Sequence, residues 1–368
     1  MRVKVKRESL LVPLQLISNV VERRQTLPVL ANLKVAVTDG RLSMIGTDLE
    51  VELKTQTDVG MDASGEATLP AKKLNDIWRS LPGSKDIVLE HVGDKVSIRC
   101  GGGRYSLSTI NVAEFPESLG VADGEAISVD GQAFKRSVEQ VSFAMAQQDV
   151  RYFLNGMLLE IESGSMKLVA TDGHRLAMTE MELAAAGERS TINSSAIVPR
   201  KGVLELLKVI EDKETFQLRL SDKLMTVEAG EYTFSTKLVE GQFPDYNKVV
   251  PKGGSIELIV DRLSFRETLQ RASILSNEKY RGVRLSLSSG TIKIQANNPE
   301  QEEAEEVLES DYNGAELEIG FNVGYILDVL SVLDSSEVKL TLSDGNSSVL
   351  MEGVDETNAI YVVMPMRL

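Results

Sequence analysis

The residues best equipped for chemistry sit in one short turn, Thr171-Asp172-Gly173-His174-Arg175-Leu176. An aspartate two residues from a histidine could orient the imidazole and make it a general base. That chemistry needs a nucleophile, and no motif marks one: the chain holds no G-x-S-x-G, H-E-x-x-H, C-x-x-C or G-x-x-x-x-G-K-[ST]. There are two histidines, His91 and His174, and one cysteine, Cys100. His91 is expected to lie exposed in a hairpin. With no cysteine or second histidine beside His174, a metal centre is not expected, and a single cysteine forms no intrachain disulfide. Gly101-Gly102-Gly103-Arg104-Tyr105-Ser106 has serine where a dinucleotide loop ends in glycine, and a strand (Tyr105–Ile110) follows it; it reads as a hairpin turn. Trp78 falls at the apolar spacing of its helix and reads as core. The expectation is a protein without catalysis and without a cofactor.

Charge offers a second kind of chemistry. The net charge is −15, which by itself argues against nucleic acid. Its distribution argues otherwise. Expected helices carry Arg7, Arg23, Arg24, Lys72, Lys73, Arg79, Lys135, Arg136, Arg200, Lys201, Lys208, Arg262, Arg266 and Arg271. Acids gather in hairpins, loops and the run Glu300-Gln301-Glu302-Glu303-Ala304-Glu305-Glu306. Two readings stay open. The cations are ordinary solvated helix residues, or they form a basic face shielded from an acidic exterior. The acidic run is likewise a solvated strand edge or half of a subunit interface.

The elements that must position these residues come in threes. A strand running into a helix appears at 2–21, 126–147 and 255–275, and a second such unit at 67–81, 196–210 and 317–333. Alternating strands follow each second helix, at 86–110, 215–238 and 337–364. Asp130, Asp261 and Asn322 stand as helix caps. Hairpins turn at Val92-Gly93-Asp94, Ser221-Asp222 and Ser343-Asp344-Gly345. The period is roughly 125 residues, the size of a domain. The expected fold is α+β: three tandem domains, 1–124, 125–250 and 251–368, each with two helices on antiparallel sheet. No apolar run reaches the ~20 residues of a membrane span, and MRVKVKRES is no signal peptide. The expected location is the cytoplasm.

Helix geometry sharpens the charge question. Six helices about 10 Å wide, side by side in a circle, leave a hole of about 9 Å, and twelve leave about 28 Å. A B-form duplex is about 20 Å wide. One chain is too small to enclose DNA and two suffice. Base-blind phosphate contacts would then let the ring slide.

Several segments resemble the family of bacterial sliding clamps, the β subunits of DNA polymerase III. They are Gly46-Thr47-Asp48-Leu49-Glu50, Gln148-Asp149-Val150-Arg151-Tyr152, Leu154-Asn155-Gly156-Met157-Leu158, Thr171–Leu176, Val198-Pro199-Arg200-Lys201-Gly202, Leu275-Ser276-Asn277-Glu278-Lys279, Ala296–Glu306 and the tail Tyr361-Val362-Val363-Met364-Pro365-Met366-Arg367-Leu368. They fall in all three repeats. The resemblance implies a head-to-tail homodimeric ring on double-stranded DNA, placed there by an ATP-driven clamp loader. It implies a pocket for Q-x-x-L-F-type motifs carried by the DNA polymerase III α subunit and other replication and repair proteins. Matched position by position, that pocket takes Leu154, Thr171, Gly173, His174, Arg175, Leu176, Pro244, Lys248, Val249, Asn322, Tyr325, Ser348, Val362, Val363, Met364, Pro365, Met366 and Arg367. The matching DNA contacts are Arg24 and Gln148, supported by Lys72, Lys73, Arg79, Lys135, Arg136, Arg200 and Lys201. At the implied interface Tyr105, Leu107, Ile274 and Leu275 form an apolar patch, and Lys73 and Arg104 face Glu302, Glu303, Glu305 and Glu306. Lys248 stands where relatives often have arginine, and Gly102 where some are basic.

Overall fold

The structure is a computed structural model that describes residues 1–21, 27–83, 85–183 and 193–367. The first repeat runs β1 (Arg2–Lys6), α1 (Arg7–Val20), β2 (Asn32–Thr38), β3 (Arg41–Thr47), β4 (Val51–Asp58), β5 (Gly60–Ala63), β6 (Gly65–Pro70), α2 (Ala71–Ser80), β7 (Asp86–Val92), β8 (Lys95–Cys100) and β9 (Gly103–Ser108). The second runs β10 (Ile127–Asp130), α3 (Gly131–Ser142), β11 (Gly156–Glu162), β12 (Ser165–Thr171), β13 (Arg175–Glu182), β14 (Ser194–Pro199), α4 (Arg200–Val209), β15 (Thr215–Leu220), β16 (Leu224–Ala229) and β17 (Tyr232–Lys237). The third runs β18 (Ile256–Asp261), α5 (Arg262–Ser273), β19 (Gly282–Ser288), β20 (Thr291–Asn297), β21 (Glu303–Glu309), β22 (Leu317–Asn322), α6 (Val323–Val332), β23 (Glu337–Leu342), β24 (Val349–Gly353) and β25 (Ala359–Val363).

The strands join across repeats. One compact unit comprises Met1–Lys135 with Lys201–Val239, the other Arg136–Arg200 with Glu240–Leu368. The first holds a sheet ordered β5-β1-β7-β8-β9 and an eight-stranded sheet, β10-β15-β16-β17-β4-β3-β2-β6. The second holds β14-β11-β12-β13-β25-β24-β23-β18 and β21-β20-β19-β22. In each long sheet one antiparallel pair crosses from one repeat to the next. Val51 faces Thr236 in β4·β17, and Arg175 faces Val363 in β13·β25.

Alternating burial of Val3 and Val5 fixes β1 to its core. Helix α1 buries Leu10, Leu14 and Ile17, four and then three residues apart, on one face. That face lies so close to β3 that a Cβ on Gly46 would stand 2.5 Å from Ile17 Cγ2. The expected caps form: Asp130 Oδ1 accepts from Ala133 N, Asp261 Oδ1 from Ser264 N, and Asn322 Oδ1 from Gly324 N. Trp78 is fully buried, and its Nε1 donates to Arg7 O at 2.8 Å.

Several helix cations turn out to hold the fold. Arg7, first in α1, donates to Trp78 O and Arg79 O at the end of α2. Arg262, first in α5, reaches Leu330 O in the last turn of α6 and Ser335 O in the segment beyond it. Each guanidinium thus meets a carbonyl of a helix's last turn, where the helix dipole also favours a cation.

Two local expectations are corrected. His91 is half-buried, with an Nε2 that finds no hydrogen-bond partner among the described residues, because β7 carries it inside a three-stranded pairing with β1 and β8. The strand after the triple glycine starts at Gly103 and ends at Ser108, since only residues 101–102 are needed for the turn. Arg23 and Arg24 lie outside the described residues.

Candidate partner-binding site

The turn 171–175 ends hairpin β12–β13 and is built by its own side chains. Thr171 Oγ1 accepts from Gly173 N and donates to Arg175 O, while Asp172 Oδ1 accepts from His174 N and Arg175 N. Such short-range bonds are why threonine and aspartate specify turns. Gly173 takes φ 89°, a left-handed conformation that glycine adopts without Cβ strain. The first repeat folds Thr47-Asp48-Leu49-Glu50 identically, with Leu49 at φ 80° in the glycine's place.

Arg175 fixes this turn to its surroundings. Its Nε donates to Asp172 Oδ2 at 3.2 Å, its Nη1 to Asp328 Oδ2 at 2.5 Å and its Nη2 to Phe143 O at 2.7 Å. The guanidinium carbon lies 4.6 Å from the Tyr325 ring centroid and 5.0 Å from that of Phe143. Tyr325 in turn stacks under His174, centroids 6.4 Å apart. One cation therefore joins the end of α3, the turn and helix α6. It leaves the imidazole exposed, and Asp172 gives its oxygens to the His174 and Arg175 amides and the arginine side chain.

A cavity of about 170 Å³ opens beside it. Ten of the expected pocket residues line it: Leu154, Thr171, Gly173, His174, Arg175, Leu176, Pro244, Val249, Val362 and Met364. Leu154, Leu176 and Val362 are buried walls, while Met364 is 39% exposed at the rim. Flexible, polarisable methionine makes a wall that can repack around different side chains.

The tail reaches this rim by strand pairing that then breaks. Met364 N still donates to His174 O, extending β13·β25 by one bond. Pro365 has no N–H to offer, and Met366 N donates to Gly320 O of β22 in the other sheet of this unit. Pro365 and Arg367 follow that path outside the cavity lining, and Val363 is buried within β25. Asn322 caps α6. Ser348 lies just before β24 and does not line the cavity. Lys248 points to solvent and pairs with Asp245 at 3.0 Å.

Arg151, Phe243 and Tyr246 also line the cavity and were not anticipated. Arg151 forms a two-pronged pair with Asp149 at 2.9 and 3.0 Å and donates to Asp172 O. Hydrogen bonds from the Arg151 side chain and then its backbone N–H hold the Asp149 carboxyl down at about 2. Tyr246 donates to Glu160 Oε2 at 2.6 Å, and burial pushes its phenol well above the usual range. Arg151 stands within the Gln148–Tyr152 segment and Phe243 beside Pro244, so their neighbours carried the signal.

The expected DNA contacts fall into two groups. Lys73 and Arg79 are exposed on α2, and Gln148 is exposed at φ 58°. Lys201 is half-buried, ion-paired with Asp48 and bonded to Val20 O. Arg136 pairs with Asp334 at 2.7 Å and Glu356 at 3.5 Å, Arg200 donates to Ser142 O, and Lys135 lies 4.0 Å from Glu211. Lys72 is half-buried in the first turn of α2.

The residues expected at an interface occupy two sheet ends. Arg104, Tyr105 and Leu107 lie on β9, the last strand of its sheet; Tyr105 is exposed, whereas Leu107 is already 8% exposed in its own core. Glu303, Glu305 and Glu306 lie on β21, another end strand, and Glu302 just before it. Glu305 pairs with Lys293 and Glu306 with Arg271. Ile274, 77% exposed, and Leu275 follow α5, which packs on β21.

Comparison with known proteins agrees along the full length. Three family models of the DNA polymerase III beta subunit match: the N-terminal domain at residues 1–119, the central domain at 128–245 and the C-terminal domain at 247–367. The chain is 49% identical over 371 residues to the beta sliding clamp of Pseudomonas aeruginosa and 44% over 370 residues to that of Escherichia coli, with 100% of each chain covered. The crystal structure of the Pseudomonas aeruginosa DNA polymerase III subunit beta superposes with a TM-score of 0.96 at 48% identity, covering 100% of both chains. A second structure of that clamp, bound to griselimycin, gives 0.95 at 48% identity over 100% of both.

Proposed function

The chain belongs to the DNA polymerase III beta subunit family, the sliding clamps, and from that membership we propose that it closes around duplex DNA as a head-to-tail dimer and holds partner proteins by short peptides. Clamps of this family are processivity factors, not enzymes, and this chain carries three clamp domains. We take the domains as 1–124, 125–250 and 251–368.

One observation carries the dimer. The repeats are joined twice by the same rule: the strand after the first hairpin of one repeat (β4, β13) pairs with the last strand of the next (β17, β25). Applying the rule a third time leaves β21 and β9, both end strands. Within one chain they belong to the last and first repeats, so a second copy completes the pair. The register follows from the hairpins. Thr47 faces Glu52, Thr171 faces Leu176 and Asn297 faces Glu303, so Glu302 corresponds to Val51 and Arg175. Lys237 faces Leu224 as Ser108 faces Lys95, so Leu107 corresponds to Thr236. Leu107 then meets the partner at position 302, Tyr105 at 304 and Arg104 at 305, placing a guanidinium opposite a carboxylate.

DNA is held by enclosure. The exposed Lys73, Arg79 and Gln148, together with Arg24, touch phosphate without reading bases, whereas Lys201 and Arg136 serve the fold. Partners are a clamp loader and polymerase III α subunit, the peptide's apolar pair entering the cavity at Leu176, Val249 and Val362. Burying two such side chains is worth roughly 3–6 kcal/mol before ordering costs, so a lone peptide binds at about micromolar strength. Solution mass and retention on nicked circular against linear DNA test the whole reading. A dimer that stays on circles and leaves when they are cut is expected. A monomer, or equal retention on both, would sink it.

A further inference from the structure

A second cavity lies in the first unit, where a space of about 740 Å³ opens between the start of α1 and the end of α4. Its meaning comes from the corresponding place in the second unit. Val12 is the sixth residue of α1 and Arg136 the sixth of α3; Val209 ends α4 and Val332 ends α6. In the second unit that place is filled by the chain's own arginine. Arg136 Nη2 bonds to Val332 O, the last carbonyl of α6, to Asp334 at 2.7 Å and to Glu356 at 3.5 Å, and Gln140 braces Glu356 at 2.9 Å. In the first unit the same positions carry Val12, Val209, Glu211 and Leu16, and all four line the open cavity. Valine stands in the arginine's place, and the helix-end residue and the carboxylate two positions beyond it are kept, while Gln140 is matched by Leu16.

We propose that this cavity seats an arginine side chain supplied by a partner protein, in the manner of Arg136. Its charge fits: Glu8, Glu211, Asp212 and Glu231 line it, against Lys208 and Lys213. Those ammonium groups are engaged, Lys208 with Glu205 at 2.8 Å and Lys213 with Glu231 at 3.1 Å and over the Tyr232 ring. Lys135 approaches Glu211 only to 4.0 Å. A guanidinium suits the seat better than an ammonium, because its planar fork can meet a helix-end carbonyl and a carboxylate at once. The helix C-terminus adds its negative end to the same spot. Val12, 55% exposed, offers an apolar surface for the methylene stem.

The test is methyl NMR of the full-length protein, following Val12 and Leu16 during titration with Nα-acetyl-arginine amide or Nα-acetyl-lysine amide. Arginine amide is expected to shift both residues, with an apparent affinity several-fold above that of lysine amide. Val12→Arg fills the seat from within, so the Leu16 response to arginine amide should vanish and the melting temperature should hold or rise. Should that variant fail to fold, Glu211→Gln with Glu231→Gln replaces it, and the arginine response must weaken at least several-fold. Equal responses to the two amides, or an arginine response that survives these substitutions, would overturn the proposal.

Discussion

Arg175 and Tyr325 are stacked, guanidinium carbon to ring centroid 4.6 Å, and the same tyrosine carries His174 on its ring, so one arginine sets the angle of the histidine at the cavity mouth. Its side chain is only 12% exposed and answers to two carboxylates and a carbonyl. Arg175→Ala should therefore cost about 2–4 kcal/mol of stability, since it leaves Asp328 and Phe143 O without their donor. Arg175→Lys should recover less than half, as an ammonium cannot reproduce the fork. Thermal melts of the three proteins decide it, and a loss below 0.5 kcal/mol, roughly the scale of an exposed ion pair, contradicts the keystone role.

The proposed interface register yields a charge-swap experiment. Arg104→Glu would set like charges opposite position 305 and weaken the dimer roughly five- to tenfold by sedimentation. Adding Glu305→Arg should restore it, although Glu305→Arg also forfeits Lys293. If the double variant is no tighter than either single one, the strands pair in another register.

Acid should act on the 149–155 loop late. Asp149 has its carboxyl held at about 2, below the ordinary value of 3.8, first by the Arg151 side chain and then by its backbone N–H. A depressed carboxyl contributes stability that is whole above the ordinary value and is lost as pH falls toward the depressed one. Amide protection of Arg151 should thus be flat from pH 7 to about 4 and fall between about 4 and 2. Asp149→Asn should remove that step and show reduced protection throughout.

Met364 is the adaptable wall of the cavity, and its backbone is fixed by His174 O. Met364→Ala should weaken a Gln-Leu-Ser-Leu-Phe peptide about tenfold in calorimetry by removing a partly buried thioether, about 1–2 kcal/mol. Deleting residues 364–368 should abolish the binding and leave dimer mass unchanged. Unchanged affinity after that deletion would move the peptide site elsewhere.

Much of this was legible because it is local. The Thr-Asp turn, the Asp261 and Asn322 caps and the hairpin at residues 101–102 are decided within five residues of themselves, where side-chain chemistry speaks plainly. Partner strands are not local. Alternation tells which face of β4 is buried and nothing about its neighbour being β17. For the same reason the Lys201–Asp48 pair, 153 residues apart in sequence, could not be foreseen from the residues around either partner. His91 misled because one face of an antiparallel sheet can bury a polar ring without a sequence signal.

Joining repeats through β4 and β17 also has a consequence during synthesis. Thr236, which pairs with Val51, leaves the ribosome roughly 185 residues later, so β4 waits about 10–40 s at ordinary elongation rates. Throughout that interval its outer row of amides and carbonyls is unmet. Chains translated side by side on one messenger are then in reach of each other's waiting edges. A pause near codon 232 should raise mispaired, insoluble product, and a pause placed well downstream, once β17 has emerged from the ribosome, should not.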